Sequence, residues 1–310
     1  MSFGQREEYE QSAYLQLFML VIFAVCGTIL FTLLAFLFCF GMYGMDFFKN
    51  YDAFLHGDPR FLNGLKAFQI ITTIGLFVVP PLFLSRFSGN KWTGFYKFKN
   101  PKLELLIFVV LLIICAMPLM EATAMLNQKM TLPGFLKPLE HWMREKEDEA
   151  MEMTIALLTV HNVWEIGVNM VMIAMLPAIG EELFFRGGIQ QLSIRIFKNP
   201  HAGIWITAII FSAIHVQFFG FFPRLFLGAA FGYLYYWSGS LWYTILAHFL
   251  NNAYAVCVAF YLQKHHMPLN STEPTINVQW YGYLLSFVLT LALLKYFKNK
   301  TTQLDGKQLD

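Results

Sequence analysis

Residues 170–190 read MVMIAMLPAIGEELFFRGGIQ, an apolar run with two adjacent carboxylates and an arginine in its middle. An ionisable group inside a hydrocarbon layer costs on the order of 3 kcal/mol when unpaired, so Glu181, Glu182 and Arg186 need partners or a task. The rest of the chain places this run in a membrane. Of 310 residues, 57% are hydrophobic, 17% aromatic and 14% charged, with a mean hydropathy of +0.50, a profile typical of membrane proteins. A helix needs roughly 20 apolar residues to cross a ~30 Å hydrocarbon layer. By that measure about eight spans are expected, at 12–40, 65–86, 103–127, 159–196, 201–219, 222–238, 241–263 and 277–297. The expected fold class is all-α, a polytopic membrane helical bundle, with the fifth and sixth spans forming a tight hairpin.

Lysine and arginine in short loops orient such a bundle. The loop after the second span holds Arg86, Lys91, Lys97, Lys99 and Lys102, and the tail holds Lys295, Lys298, Lys300 and Lys307. Both are expected to be cytoplasmic, which places both termini inside; a bacterial inner membrane is the expected setting. The acidic stretch 137–152, with Glu140, Glu145, Glu147, Asp148, Glu149 and Glu152, then falls on the opposite side. It reads as a solvated amphipathic connector, with substrate selection as the alternative. The apolar run from Tyr14 to Phe40 is too long for a signal peptide and reads as the first span. Asn270-Ser271-Thr272 is a glycosylation sequon on the non-cytoplasmic side. The organisation expected is three N-terminal spans with their acidic connector over 1–158, a core over 159–263, and a last span with its tail over 264–310.

Two classes of chemistry drop out. A formal net charge of +2 with no basic patch gives no reason to expect a nucleic-acid partner. Cys26, Cys39, Cys115 and Cys257 all lie in apolar runs without C-x-x-C spacing, so neither a disulfide framework nor a cysteine zinc site is indicated.

The polar residues inside spans concentrate in the core. Besides Glu181, Glu182 and Arg186, it carries Phe211-Ser-Ala-Ile-His215 and His248-Phe-Leu-Asn-Asn252. Residues four apart share a helix face, so Glu182 reaches Arg186, and Glu181 points about 100° away, free for another task. His248 and Asn252 are also four apart and present an imidazole and an amide side by side. At 1.5 Å per residue, Glu181 lies ~22 Å, His215 ~21 Å and Asn252 ~17 Å from the cytoplasmic helix ends, a common layer, while His248 at ~11 Å is expected to sit shallower. Gly187 and Gly188 read as points of close helix approach.

Glu181-Glu182-x-x-x-Arg186, Phe211-x-x-x-His215 and His248-x-x-x-Asn252 together resemble the three ordered motifs of the CAAX prenyl protease and bacteriocin-processing (CPBP, or Abi) family of intramembrane glutamic endopeptidases. The resemblance spans roughly residues 160–262, about a third of the chain. It implies a peptidase that uses no cofactor, with Glu181 as general base, His215 helping to hold the water, and His248 with Asn252 as the oxyanion site. Glu182, Arg186 and Phe211 would have supporting roles. The same residues admit a second arrangement, in which His215, His248 and Glu181 hold Zn²⁺ while the other glutamate activates its water. Absence of H-E-x-x-H, the nearby Arg186 and the poor ligand Asn252 favour the first. The expected partners are the lipid bilayer and a peptide or protein substrate, prenylated or bacteriocin-like by resemblance. A proton-coupled transporter or an immunity protein on the same fold is the alternative from another class.

Overall fold

The computed structural model describes residues 12–269 and 278–306, where every regular element is a helix. The sequon at 270–272 and Lys307 lie outside the described residues. In chain order the helices are α1 (Ala13–Tyr43), α2 (Pro59–Phe87), α3 (Leu103–Gln128), α4 (Lys137–Leu158), α5 (Val163–Phe197), α6 (Pro200–Ala213), α7 (Phe218–Ser238), α8 (Leu241–Lys264) and α9 (Trp280–Gly306). All but α4 and α6 are long and apolar enough to cross a membrane, seven in all, and the chain is a multi-pass membrane protein.

Helix α6 corrects the expected fifth span. It has 14 residues and so rises about 21 Å, short of a full ~30 Å layer. It starts on Asn199, whose side chain accepts from the backbone N–H groups of His201 and Ala202 ahead of Pro200, the arrangement of an N-cap followed by proline at the first helical position. It stops at Ala213, and Ser212 Oγ donates to Phe221 O at 2.6 Å as the chain turns back into α7. The hairpin expected for these two helices is present, and its turn carries His215 into the interior.

Prolines shape the long helices. A proline removes one N–H and crowds the carbonyl four residues earlier, and two wider π-helical turns stand just ahead of such positions, Ile74–Val78 before Pro80 and Met170–Met175 before Pro177. In α3, Pro118 lies inside the helix. Beside it Ser286 of α9 enters the broken ladder, accepting from Leu119 N at 3.1 Å and donating to Cys115 O at 2.5 Å. One hydroxyl thereby satisfies two backbone groups that lipid would leave unmet.

Contacts at the two ends fix the helix directions. At one end Ser240 Oγ donates to Lys99 O at 2.8 Å, Lys102 N donates to Tyr243 Oη at 2.8 Å, and Lys300 pairs with Glu104 at 2.9 Å. At the other, Val160 N donates to Gln263 Oε1 at 2.9 Å, and Asn127 joins the α6–α7 turn through Phe218 O and Phe222 N at 3.2 and 2.9 Å. The basic loop 97–102 and Lys300 therefore share one end, and α4 lies at the other. Cysteines introduced at Lys97 and Lys300 should react with an impermeant reagent from the same membrane face, and one at Glu152 from the opposite face. Labelling of Lys97 and Lys300 from opposite faces would contradict this topology.

The acidic connector is more than a solvated link. Helix α4 runs for 22 residues, and Glu140 at its start is buried, with its carboxyl held down to about 2 by hydrogen bonds from Lys137, Leu132 N and Arg144. Further along, Glu147 Oε2 accepts from Phe219 N at 3.2 Å. Met153, Ala156 and Leu157 pack against the cluster of Phe47, Phe54, Phe61 and Leu65 at the ends of α1 and α2. On its underside, Thr154 and Leu157 line the interior cavity described next.

Candidate active site

Glu182 and Arg186 are the most deeply buried charges of the bundle, with side chains 0% and 1% exposed. They sit 3.0 Å apart, Arg186 Nη1 to Glu182 Oε1, one turn apart on α5 as their spacing requires. Arg186 Nη2 donates to Gly228 O on α7 at 3.0 Å, and its guanidinium lies over the rings of Phe211 and Phe231, 4.8 and 5.5 Å from their centres. One turn on, Gln190 Nε2 donates to Gly232 O at 2.9 Å. A helical carbonyl has a second lone pair for such a donor. Only glycine leaves room for it, because a Cβ on Gly232 would collide with the Gln190 side chain. Gly187 and Gly188 likewise receive the Tyr96 ring and Leu20, the close approach expected of them.

Glu182 does not belong to Arg186 alone. Its Oε1 also lies 2.9 Å from His248 Nδ1, and His248 Nε2 is 3.8 Å from Glu181 Oε2. His248 therefore sits between the two glutamates, which corrects the shallower position expected of it. The depth estimate assumed a uniform rise, but α5 is π-helical over Met170–Met175 and Leu183–Gln190. Wider turns pack more residues into each ångström of axis and shift the faces.

Glu181, His215, His248 and Asn252 line one cavity of about 360 Å³, with Phe211 and Arg224 in its wall. His215 stands just past the end of α6, its Nδ1 2.8 Å from Phe211 O. A carbonyl can only accept, so Nδ1 carries the hydrogen and the Nε2 lone pair is free. The same logic puts a hydrogen on His248 Nδ1 toward the Glu182 carboxylate. His215 also lines a second cavity of about 500 Å³ beneath α4, with His56, Lys146, Glu149 and Glu152, so the interior continues toward the polar end of the bundle.

Asn252 shares the cavity with these residues and has one further engagement. Its Nδ2 donates to Ile173 O at 3.1 Å, and its Oδ1 accepts from Asn251 Nδ2 at 3.1 Å. Ile173 O is the carbonyl that Pro177, lacking an N–H, leaves without its ordinary helical partner. One amide hydrogen of Asn252 thus closes the proline turn of α5, and the other is available to the cavity. Sequence reading missed Arg224, although an arginine within the apolar stretch 218–238 is the same signal that drew attention to Arg186.

Comparison with known proteins adds to this geometry. Residues 163–254 match the family described as Type II CAAX prenyl endopeptidase Rce1-like, a segment that contains all three polar motifs. Over that segment the chain is similar to the CAAX prenyl protease family. The chain also resembles an uncharacterised protein, YpbD, of Bacillus subtilis (strain 168), with 28% identity over 93 residues covering 29% of this chain and 44% of the relative. The chain thus spans under half the length of that curated relative. No solved structure matches. The matched segment runs from the start of α5 into α8.

Proposed function

We propose that this chain is an intramembrane endopeptidase that cleaves a peptide or protein substrate with water activated by Glu181 and His215. The observation that carries this reading is the convergence of Glu181, His215 and His248 on one interior cavity, with Glu182 fixing the His248 ring from behind. A water held between the Glu181 carboxylate and the His215 Nε2 lone pair has two acceptors, which leaves its oxygen lone pair for the substrate carbonyl carbon. Glu181 takes the proton as the C–O bond forms, and later delivers it to the amide nitrogen as the C–N bond breaks. The oxyanion needs donors: the Nε2 position of His248, whose ring Glu182 holds through Nδ1, and the second amide hydrogen of Asn252 are placed to supply them. Thr154 and Leu157 of α4 and Leu227 and Phe231 of α7 form part of the cavity wall.

Zinc fits this placement less well. Among the described residues no group of three or more His, Cys, Asp or Glu is arranged to hold a metal ion, and His248 Nδ1 is already engaged by Glu182. The roles above therefore use the chain's own residues only. By resemblance, prenylated and bacteriocin-like peptides are the substrates to try first, in a bacterial inner membrane with both termini cytoplasmic.

Purified protein in liposomes, offered a peptide library and prenylated peptides, should produce defined cleavage products. His215→Ala should lower kcat/KM by about 100-fold or more, the usual weight of a group engaged in acid–base catalysis. Exhaustive chelation should leave the wild-type rate unchanged. Equal cleavage by His215→Ala removes the proposed role of His215, and activity lost to chelation and restored by zinc replaces this mechanism with a metal-dependent one.

A further inference from the structure

Arg224 has no place in the mechanism above, yet it faces the reacting groups. It projects from α7 into the cavity that holds Glu181, His215 and His248, and its charge acts on both Glu181 and His215. Its hydrogen bonds go to neutral acceptors: Nη1 to Gln217 O at 3.1 Å and Nη2 to the Gln217 side-chain oxygen. Among the described residues no carboxylate stands within ion-pair distance of it. Glu147 of α4 acts on it at longer range but is itself engaged by Phe219 N. Arg186, by contrast, is matched by Glu182 at 3.0 Å. A guanidinium has five N–H donors in a planar fork, and Gln217 uses two. Three remain for a ligand.

The surroundings indicate what that ligand is attached to. A third cavity of about 390 Å³ lies between α3, α7 and α8, and it shares Arg224, Leu227 and Asn251 with the cavity of Glu181 and His248. Its remaining wall is mainly apolar, including Ile113, Met117 and Pro118, with Glu121 of α3 as its one carboxylate. A chain extending from the reacting water into this chamber passes Arg224 at the partition. A cation at the junction of two cavities, preorganised by neutral acceptors and with no carboxylate at ion-pair distance among the described residues, favours an anion that arrives with the substrate.

We propose that Arg224 determines specificity by binding a carboxylate of the peptide substrate, with the neighbouring apolar side chains lodged in the α3–α7–α8 chamber. The assignment rests on the hydrolase reading above. The carboxylate belongs either to the substrate's C-terminus or to an Asp or Glu side chain near the cleaved bond, and the chemistry at Arg224 is the same for both.

The test uses the full chain in liposomes with three matched sets of internally quenched apolar peptides: a free C-terminus without acidic residues, the same peptides amidated, and amidated peptides carrying one Asp. Wild type should favour one or both carboxylate sets over the neutral set by about 10- to 100-fold in kcat/KM, mainly through KM, the size expected of a charge-assisted hydrogen bond. Preference for the free C-terminus or for the Asp set identifies the source. Arg224→Gln should collapse the ratio toward one, and Arg224→Lys should restore part of it, as a folding defect would not. Equal wild-type cleavage of all three sets, or a uniform loss in Arg224→Gln that leaves the ratio intact, overturns the assignment while the hydrolase reading stands. Failure of wild type to cleave any set, with family-type prenylated peptides also intact, overturns both.

Discussion

Replacing Glu181 with Gln should lower kcat by about 1000-fold or more while the protein remains folded. The side chains differ by one proton-accepting oxygen, and an amide cannot take a proton from water at neutral pH, so the general base and the later proton donor are lost together. The fold should tolerate the change because Glu181 is not part of the buried pair: its contact with His248 Nε2 is 3.8 Å long, whereas Glu182 holds both Arg186 and His248 at 3.0 and 2.9 Å. Thermal unfolding in detergent should shift little, and peptide binding should persist. Activity within a factor of a few of wild type would show that the cavity does not use Glu181 as its base.

Arg186→Ala should instead act through stability. Breaking a buried ion pair by removing one partner costs about 3–5 kcal/mol, because the other charge is left uncompensated. Here the loss also includes the hydrogen bond to Gly228 O and the stacking on Phe211 and Phe231. Glu182 would keep only His248, so the imidazole that faces the cavity would lose its fixed partner geometry as well. The expected result is a fall of several degrees or more in unfolding temperature together with loss of activity. Arg186→Lys keeps the charge but not the fork, so a smaller fall is expected. An unfolding temperature unchanged in Arg186→Ala would mean that the pair does not hold α5 against α7.

These two outcomes separate the adjacent glutamates, a division partly legible in the sequence. The i,i+4 spacing of Glu182 and Arg186 holds in the structure, because a four-residue separation returns to the same face even where the helix widens locally. Long apolar runs likewise marked seven crossing helices, and only α6, cut short at the turn before His215, fell below spanning length. What the sequence hid were features set by backbone irregularity and tertiary contact. The π-helical turns of α5 spoiled a depth estimate based on 1.5 Å per residue, so His248 looked misplaced when it lies against both carboxylates. The commitment of one Asn252 hydrogen to Ile173 O follows from Pro177 and from the packing of α8 on α5, and no motif encodes it. Helix α4 looked like a solvated connector because its charges dominate its composition; its Thr154 and Leu157 line the cavity all the same.

The central claim is that this cavity adds water to a peptide bond through Glu181. Its most direct test begins with a peptide captured on Glu181→Gln in liposomes, then offered to wild type in H₂¹⁸O under single-turnover conditions. The account predicts one ¹⁸O in the new C-terminal carboxylate of the product, none in the Glu181 side chain, and no labelled product from Glu181→Gln. Label in the Glu181 carboxylate, or equal labelled product from both proteins, would contradict it.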